Sequence, residues 1–401
     1  MTTAEPRAAL EGIRVIDASN LIAGPMAGML LGDLGADVIK IEHPQHGDAI
    51  REHGPSKDGI GLWWTEMSRN KRLVTLYLGD PAGRDVFVRL ARTADVVIEN
   101  FRPGTLERWG IGFDVLEREN PRLVLARLTG FGQKGPRKDQ PGFGTIAESM
   151  SGFAHRNGYP DGAPTLPPFG LADSVAGMSA AFAIVSALQA RERTGKGQEI
   201  DVAIIEPLLT VLMPQDIVFD QTGEVMGRLG NRSAANAPRN NYRAADGRWV
   251  AISASTQSTA DALLRLIGRE DVVAQLWFET ADGRLAHVNE LDAIIGAWVA
   301  TMTADDVVAA CAKAGTPATT IYTTADVFAD EQYAAIGAIA EVPHPMLGTV
   351  RMARTPFRMS RTPPRIRWAG PPTKGQHNAE VYGELGIGEE EQAALRAKGV
   401  I

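Results

Sequence analysis

The sequence predicts an α/β fold: a doubly wound, mostly parallel, Rossmann-like sheet with a smaller α+β domain inserted into it. Three observations carry this. Short β-branched runs recur between Ile13 and Leu128, segments with helical spacing of apolar residues separate them, and the texture changes over residues 225 to 330. At 401 residues a single core becomes hard to extend, so two domains are expected, a large one over 1–220 completed by 335–401 and a small one over 225–330.

The first unit is a βαβ. Ile13 to Ile16 is a strand, Ala23-Gly24-Pro25 opens a helix with proline in its first turn, and Met26 to Leu34 continues it. Gly35 stops the helix and Val38 to Glu42 is the second strand, parallel to the first if the crossover is helical. Val74 to Leu78 follows as a strand, Asp80-Pro81 as a helix cap and start, then Asp95 to Glu99 and Leu123 to Leu128 as strands. Between Thr129 and Gly170 a stretch dense in Gly and Pro carries no regular pattern, as functional loops do. An apolar helix rich in small residues runs from about Ser174 to Arg193, and Val202 to Val218 is expected to continue the core. In the smaller domain Tyr242 to Ile252 is a hairpin turning at Asp246-Gly247, followed by helices near Leu263 to Ile267, Ile294 to Thr301 and Ala304 to Ala314. The tail holds a hairpin near Gly348 and an amphipathic helix from Glu389 to Ala397.

Composition excludes several classes. With 41 Lys+Arg against 48 Asp+Glu the formal charge is −7, which argues against nucleic-acid binding, where a basic face must neutralise phosphates. Cys311 is the only cysteine, so no disulfide or Cys-based metal site is expected and a reducing cytoplasm fits. Met1 to Leu10 carries Glu5 and Arg7 and lacks a signal-peptide core. The longest uncharged run, between Asp173 and Arg191, is 17 residues, short of the ~20 of a membrane span, so no membrane partner is expected. The seven histidines form no metal-ligating constellation; His43, His46 and His53 share a segment broken by Pro44.

The βαβ start, with Glu42 ending the second strand, invites a dinucleotide reading. The glycines oppose it: Pro25 occupies the turn that should present a backbone N–H to pyrophosphate. Arg69, Lys71, Arg72, Arg102 and Arg108 gather on or near the predicted carboxyl ends of strands, where such sheets bind ligands, although solvated loop charge gives the same pattern. Asp173 precedes the apolar helix. On local sequence it reads first as an N-cap, as most Asp residues in such places do; the second reading is a carboxylate kept ionised by the helix N-terminus and able to act as a nucleophile.

Taken together, these stretches resemble the class III CoA-transferases, the family that includes formyl-CoA transferase and carnitine CoA-transferase. The resemblance rests on residues 10–17, Ala23-Gly24-Pro25, residues 33–42, Gly47-Asp48, Asn70-Lys71-Arg72 and residues 94–104 with their Glu99-Asn100-Phe101-Arg102-Pro103-Gly104. Asn120-Pro121-Arg122-Leu123, Gly130-Phe131-Gly132-Gln133, Ser151-Gly152 and Thr194-Gly195-Lys196-Gly197-Gln198 extend it. The resemblance is strong over about residues 8 to 206 and weak beyond. It implies an acyl-CoA donor, a carboxylic acid acceptor, coenzyme A as substrate with no permanently bound cofactor or metal, and an interlocked homodimer.

It also implies that Asp173, with Gly177 four residues on, is the catalytic carboxylate, passing through an acyl-aspartyl anhydride and an aspartyl-CoA thioester. Positions that resemble the family's CoA contacts are Ile22, Ala23, His43, Leu76 to Leu78, Asn100, Phe101 and Arg108. His43 stands where formyl-CoA transferase has an arginine and Gly79 where it has a lysine, so Arg72 and Arg102 are candidates to compensate. The related α-methylacyl-CoA racemases carry a Gly-His-Asp segment where this chain has Gly142-Phe143-Gly144. The racemase histidine is absent, and Gly144 also departs from the Asp common in transferases. Residues 252–259 lack the Gly-rich run of formyl-CoA transferase, which points to acyl groups larger than formyl or oxalyl. A racemase-like isomerase and a non-catalytic CoA-binding protein are the alternatives.

Overall fold

The structure is a computed structural model that describes residues 8–401; the leader reading made on Glu5 and Arg7 falls outside them. Six parallel strands form the central sheet: β1 Arg14–Asp17, β2 Asp37–Glu42, β3 Lys71–Thr75, β4 Val96–Glu99, β5 Val124–Thr129 and β6 Glu199–Ala203. Their spatial order is β3-β2-β1-β4-β5-β6, all neighbours parallel. Winding thus reverses between β1 and β4, the crevice where open α/β sheets bind ligands at their carboxyl ends.

Alternate residues along each strand feed two cores, which is why both faces must be covered. Ile16, Ile39, Val74, Val97 and Leu125 pack on one face with the helix α2 Pro81–Arg92 and with Tyr382 and Leu395 from the C-terminal segment. Val15, Val38, Val96, Ile98 and Val124 pack on the other with α1 Ala23–Asp33 and the long helix α4 Leu171–Thr194. A short helix, α3 Gly144–Met150, precedes α4. Gly177 lets α4 lie directly on α1: a Cβ there would sit 2.7 Å from the Ala23 carbonyl oxygen. The Asp80 carboxylate caps α2 by accepting the Ala82 N–H at 2.8 Å, as the Asp-Pro start predicts. The chain end is tied to β3: Tyr382 Oη donates to the Thr75 carbonyl at 2.6 Å and Tyr77 N–H to Val400 at 2.8 Å.

Backbone contacts divide the described residues into two compact units, residues 8–153, 166–214 and 334–401, and residues 154–165 with 215–333. The second unit has its own core around a three-stranded antiparallel sheet, β7 Arg239–Arg243, β8 Trp249–Ser253 and β9 Ala318–Thr320. The β7-β8 hairpin pairs Tyr242 with Val250 and turns at Gly247, whose φ of +82° suits glycine. Residues 154–165, expected in the large domain, belong to this unit.

Three expectations need correction. The third strand begins at Lys71 rather than Val74. Val202 and Ala203 belong to β6, and although Val202, Ile204 and Leu208 join the core, Leu209, Val211, Met213 and Ile217 are exposed. Helix α4 spans 24 residues, long and apolar enough by composition to cross a membrane, although its Ala172, Ala176, Ala180 and Ile184 are buried in the unit.

Candidate active site

The loops after β1 and β4 meet at the reversal point. Asn20 N–H donates to Asn100 Oδ1 and Asn100 Nδ2 to the Asn20 carbonyl, each at 2.8 Å, so the two strand ends are held as one piece. Leu21 follows with φ +65°, a conformation that disfavours a branched side chain, and its N–H is held by Asp48 at 3.0 Å. Beneath these loops lies a fully buried charge network. Lys71 Nζ pairs with Asp17 at 2.8 Å and donates to the Pro25 carbonyl at 2.7 Å, and Lys40 pairs with Asp48 at 2.8 Å. Such pairs lock the loop bases together, since removing one partner leaves an uncompensated buried charge.

Two cavities open at this crevice. The first, about 410 Å³, is lined by Asn20, Ile22, Ala23, His53, Trp63, Asn100, Phe143, Gly144, Glu148, Gly170 and Asp173. The second, about 280 Å³, is lined by Asn20, His43, Leu76, Tyr77, Leu78, Gly79, Phe101 and Trp109. Asn20 borders both, and the sequence-predicted Ile22, Ala23, His43, Leu76, Leu78, Asn100 and Phe101 are all brought here with Asp173.

Asp173 sits in the first turn of α4, third after the Gly170 N-cap, rather than ahead of the helix. Gly144 N–H donates to its carboxylate. A Cβ at position 144 would lie 2.6 Å from Asp173 Oδ2, so only glycine leaves the carboxylate room in this arrangement. The expectation that the helix start keeps Asp173 acidic is overturned. Burial and the facing Glu148 carboxylate outweigh the Gly144 N–H and raise its pKa from 3.8 to about 6.

His43 does not replace an arginine as a cation. Its ring meets Tyr77 edge-on at 4.9 Å, its Nδ1 accepts the Gln45 N–H at 3.1 Å, and burial with His46 and Lys374 nearby lowers its pKa below the usual histidine value. It therefore offers an aromatic surface. Tyr77 lies over Gly79, where a Cβ would be 2.6 Å from its ring, which excludes a longer residue there in this arrangement. Lys374, which the sequence reading did not single out, stands beside this cavity, its Nζ donating to the Gln45 carbonyl at 2.6 Å. Its signal was only a lone lysine between Pro372 and Gly375 in a weakly patterned tail.

The basic cluster expected at the carboxyl edge divides. Arg69 is buried on Asp33 at 2.7 Å and Lys71 on Asp17. Arg72 lies at the start of β3, paired with Asp37 at 2.6 Å and with Glu380 and Glu384 at 2.9 and 2.6 Å, so it does not face the crevice and cannot compensate there. Arg102 is exposed beside Phe101, and Arg108, also exposed, donates to Thr105 Oγ1 at 2.7 Å. Glu42, the ribose candidate of a dinucleotide fold, is buried on Arg51 at 2.6 Å and has no free carboxylate to offer.

A reversal-point crevice with a carboxylate of raised pKa at its rim, and no glycine-rich pyrophosphate loop, does not fit a dinucleotide site. The particular family follows from comparison. Residues 10–378 match the model of CoA-transferase family III, and the chain belongs to that family. It is 39% identical over 403 residues, covering 100% of both chains, to a succinyl-CoA–D-citramalate CoA-transferase of Chloroflexus aurantiacus. It is 40% identical over 399 residues, 98% of both, to the beta subunit of a succinyl-CoA–L-malate CoA-transferase from the same organism. Among solved structures, a CaiB/BaiF family protein from Brucella suis superimposes with a TM-score of 0.84 at 34% identity, over 94% of this chain and 100% of that one. The protein is thus a transferase, and relatives of this kind transfer CoA between an acyl-CoA and a carboxylate.

Proposed function

We propose that this protein moves CoA from an acyl-CoA donor to a carboxylic acid with Asp173 as a covalent relay. The observation that carries the proposal is the placement of Asp173, a half-buried carboxylate with pKa about 6, in a cavity that shares Asn20 with the neighbouring cavity of about 280 Å³. At neutral pH the group is ionised yet more basic than an ordinary aspartate, which favours nucleophilic attack. An Asp173 oxygen adds to the thioester carbonyl carbon and the C–S bond breaks, leaving a mixed anhydride and CoA thiolate. The thiolate then adds to Asp173 Cγ and displaces the donor acid, giving an aspartyl-CoA thioester. The acceptor carboxylate attacks Cγ of that thioester and expels CoA thiolate, forming a second mixed anhydride; the thiolate then attacks the acceptor's acyl carbon and displaces the Asp173 carboxylate, giving the new acyl-CoA and regenerating Asp173. Each intermediate is itself an activated acyl derivative, so the overall exchange of one acyl-CoA for another is near energy balance.

Trp63, Phe143, Pro167, Pro168 and Phe169 line the cavity around Asp173. Donor and acceptor are placed among short dicarboxylic and hydroxy acids, in line with the names of the two Chloroflexus relatives. The chain is further proposed to pair with a second copy in the cytoplasm. Support comes from the outer face of α4, where Met178, Phe182 and Val185 are exposed beside Phe357 and Met359 around an apolar groove of about 700 Å³.

The test is succinyl-CoA turnover with a panel of acceptor acids, in native protein and Asp173→Asn. Acceptor-dependent exchange that vanishes in the variant supports the relay. Exchange that persists in the variant refutes it, and α-proton exchange in deuterated water without an acceptor supports an isomerase instead.

A further inference from the structure

The carboxylate facing Asp173 has no part in the relay described above, and its surroundings are unusual. Glu148 is 3% exposed, and no Lys or Arg side chain lines the cavity it shares with Asp173. Among the described residues its side chain forms no ion pair. Its Oε1 instead accepts the Ala172 N–H at 3.2 Å, one residue before Asp173. That amide belongs to the unsatisfied first turn of α4, whose N-cap, Gly170, has no side chain to offer.

Glu148 lies four residues after Gly144 on α3, hence on the same helical face. The two helices are therefore joined reciprocally: α3 gives the Gly144 N–H to the Asp173 carboxylate, and α4 gives the Ala172 N–H to the Glu148 carboxylate. We infer that Glu148 is a positioning residue for the transfer, holding the Gly144 N–H on Asp173 and setting a negative charge against the nucleophile that is relieved when Asp173 is acylated. The inference rests on the proposed role of Asp173.

The electrostatic half follows from charge bookkeeping. Before attack two carboxylates face each other in a poorly solvated cavity; in the anhydride and the aspartyl-CoA thioester Asp173 is neutral and its charge has left with the thiolate or the acid. Repulsion from Glu148 thus raises the starting state and not the covalent ones, which speeds the first step. The other titratable group on the cavity wall is His53, packed edge-on against Trp63 at 4.9 Å.

Glu148→Gln keeps an acceptor for Ala172 and removes the charge; Glu148→Asp keeps the charge and shortens the reach. In pH profiles of acyl-CoA turnover, Glu148→Gln is expected to move the acid limb of kcat/KM down by about one pH unit and to lower kcat about tenfold at neutral pH, with KM for acyl-CoA changed less than about twofold. Glu148→Asp is expected to keep the limb in place while kcat falls through lost positioning. An acid limb unmoved in a folded Glu148→Gln overturns the inference. If that variant does not fold, native kcat in Glu148→Asp overturns it. Asp173→Asn run alongside separates the failures: turnover in that variant sinks the relay itself, whereas a dead Asp173→Asn with a native-like Glu148→Gln sinks only the role of Glu148.

Discussion

Replacing Asp173 with asparagine should make the protein more stable. Asp173 has its pKa raised from 3.8 to about 6 by burial and by Glu148. An acid with a raised folded pKa holds its proton longer in the native state than in the unfolded chain, so its contribution to stability is complete below pH 3.8 and is lost as pH climbs to about 6. The difference corresponds to on the order of 3 kcal/mol at pH 7.5 and to roughly half that at pH 5. Asp173→Asn removes that penalty while its Oδ1 still accepts the Gly144 N–H. For a chain of this length, about 3 kcal/mol raises Tm by roughly 3–4 °C. Thermal melts of native protein and variant at pH 7.5 and pH 5 test this directly. The variant should melt higher at both, with the gap at pH 5 about half that at pH 7.5. A variant that melts lower, or a gap independent of pH, would refute the claim that Asp173 is held in a charge-disfavouring site.

For the proposed relay the same pKa predicts that kcat/KM for acyl-CoA falls as pH drops through about 6, as Asp173 becomes protonated; a flat profile from pH 5 to 8 would contradict the relay. Gly144→Ala places a methyl 2.6 Å from Asp173 Oδ2 and should lower kcat by about 100-fold with the fold intact by circular dichroism. Arg72→Ala should leave KM for acyl-CoA within about twofold, since Arg72 is bound to Asp37, Glu380 and Glu384 at the amino edge of the sheet, and should instead lower Tm by loosening the C-terminal segment. A large KM effect would return Arg72 to the CoA site.

Much of the fold was legible because a sheet covered on both faces writes itself as continuous apolar runs: Val15-Ile16, Val38-Ile39 and Val96-Val97-Ile98 each feed both cores. β3 was displaced by three residues because Lys71 and Arg72 look like loop, whereas the first is neutralised internally by Asp17 and the second by Asp37. β6 was missed because an edge strand needs one covered side only, and Glu199 and Asp201 broke its apolar pattern. Asp173 was singled out through the family resemblance and its place at a helix start, but its raised pKa was not legible, since burial and Glu148 on another helix cause it. Glu148 itself is an ordinary glutamate in a helical pattern; only the Ala172 contact and its burial set it apart. The basic residues misled for the same reason throughout: sequence shows a charge, and only packing shows what that charge is already paired with.

The central claim is that the acyl group and CoA pass covalently through Asp173. Intact-mass spectrometry after incubation with succinyl-CoA, followed by hydroxylamine treatment and peptide mapping, tests it most directly. An acyl-sized or CoA-sized adduct on the peptide bearing Asp173, lost with hydroxylamine and missing in Asp173→Asn, is the predicted result. Acceptor-dependent CoA transfer with no adduct on that peptide, or with the adduct on another residue, would contradict it.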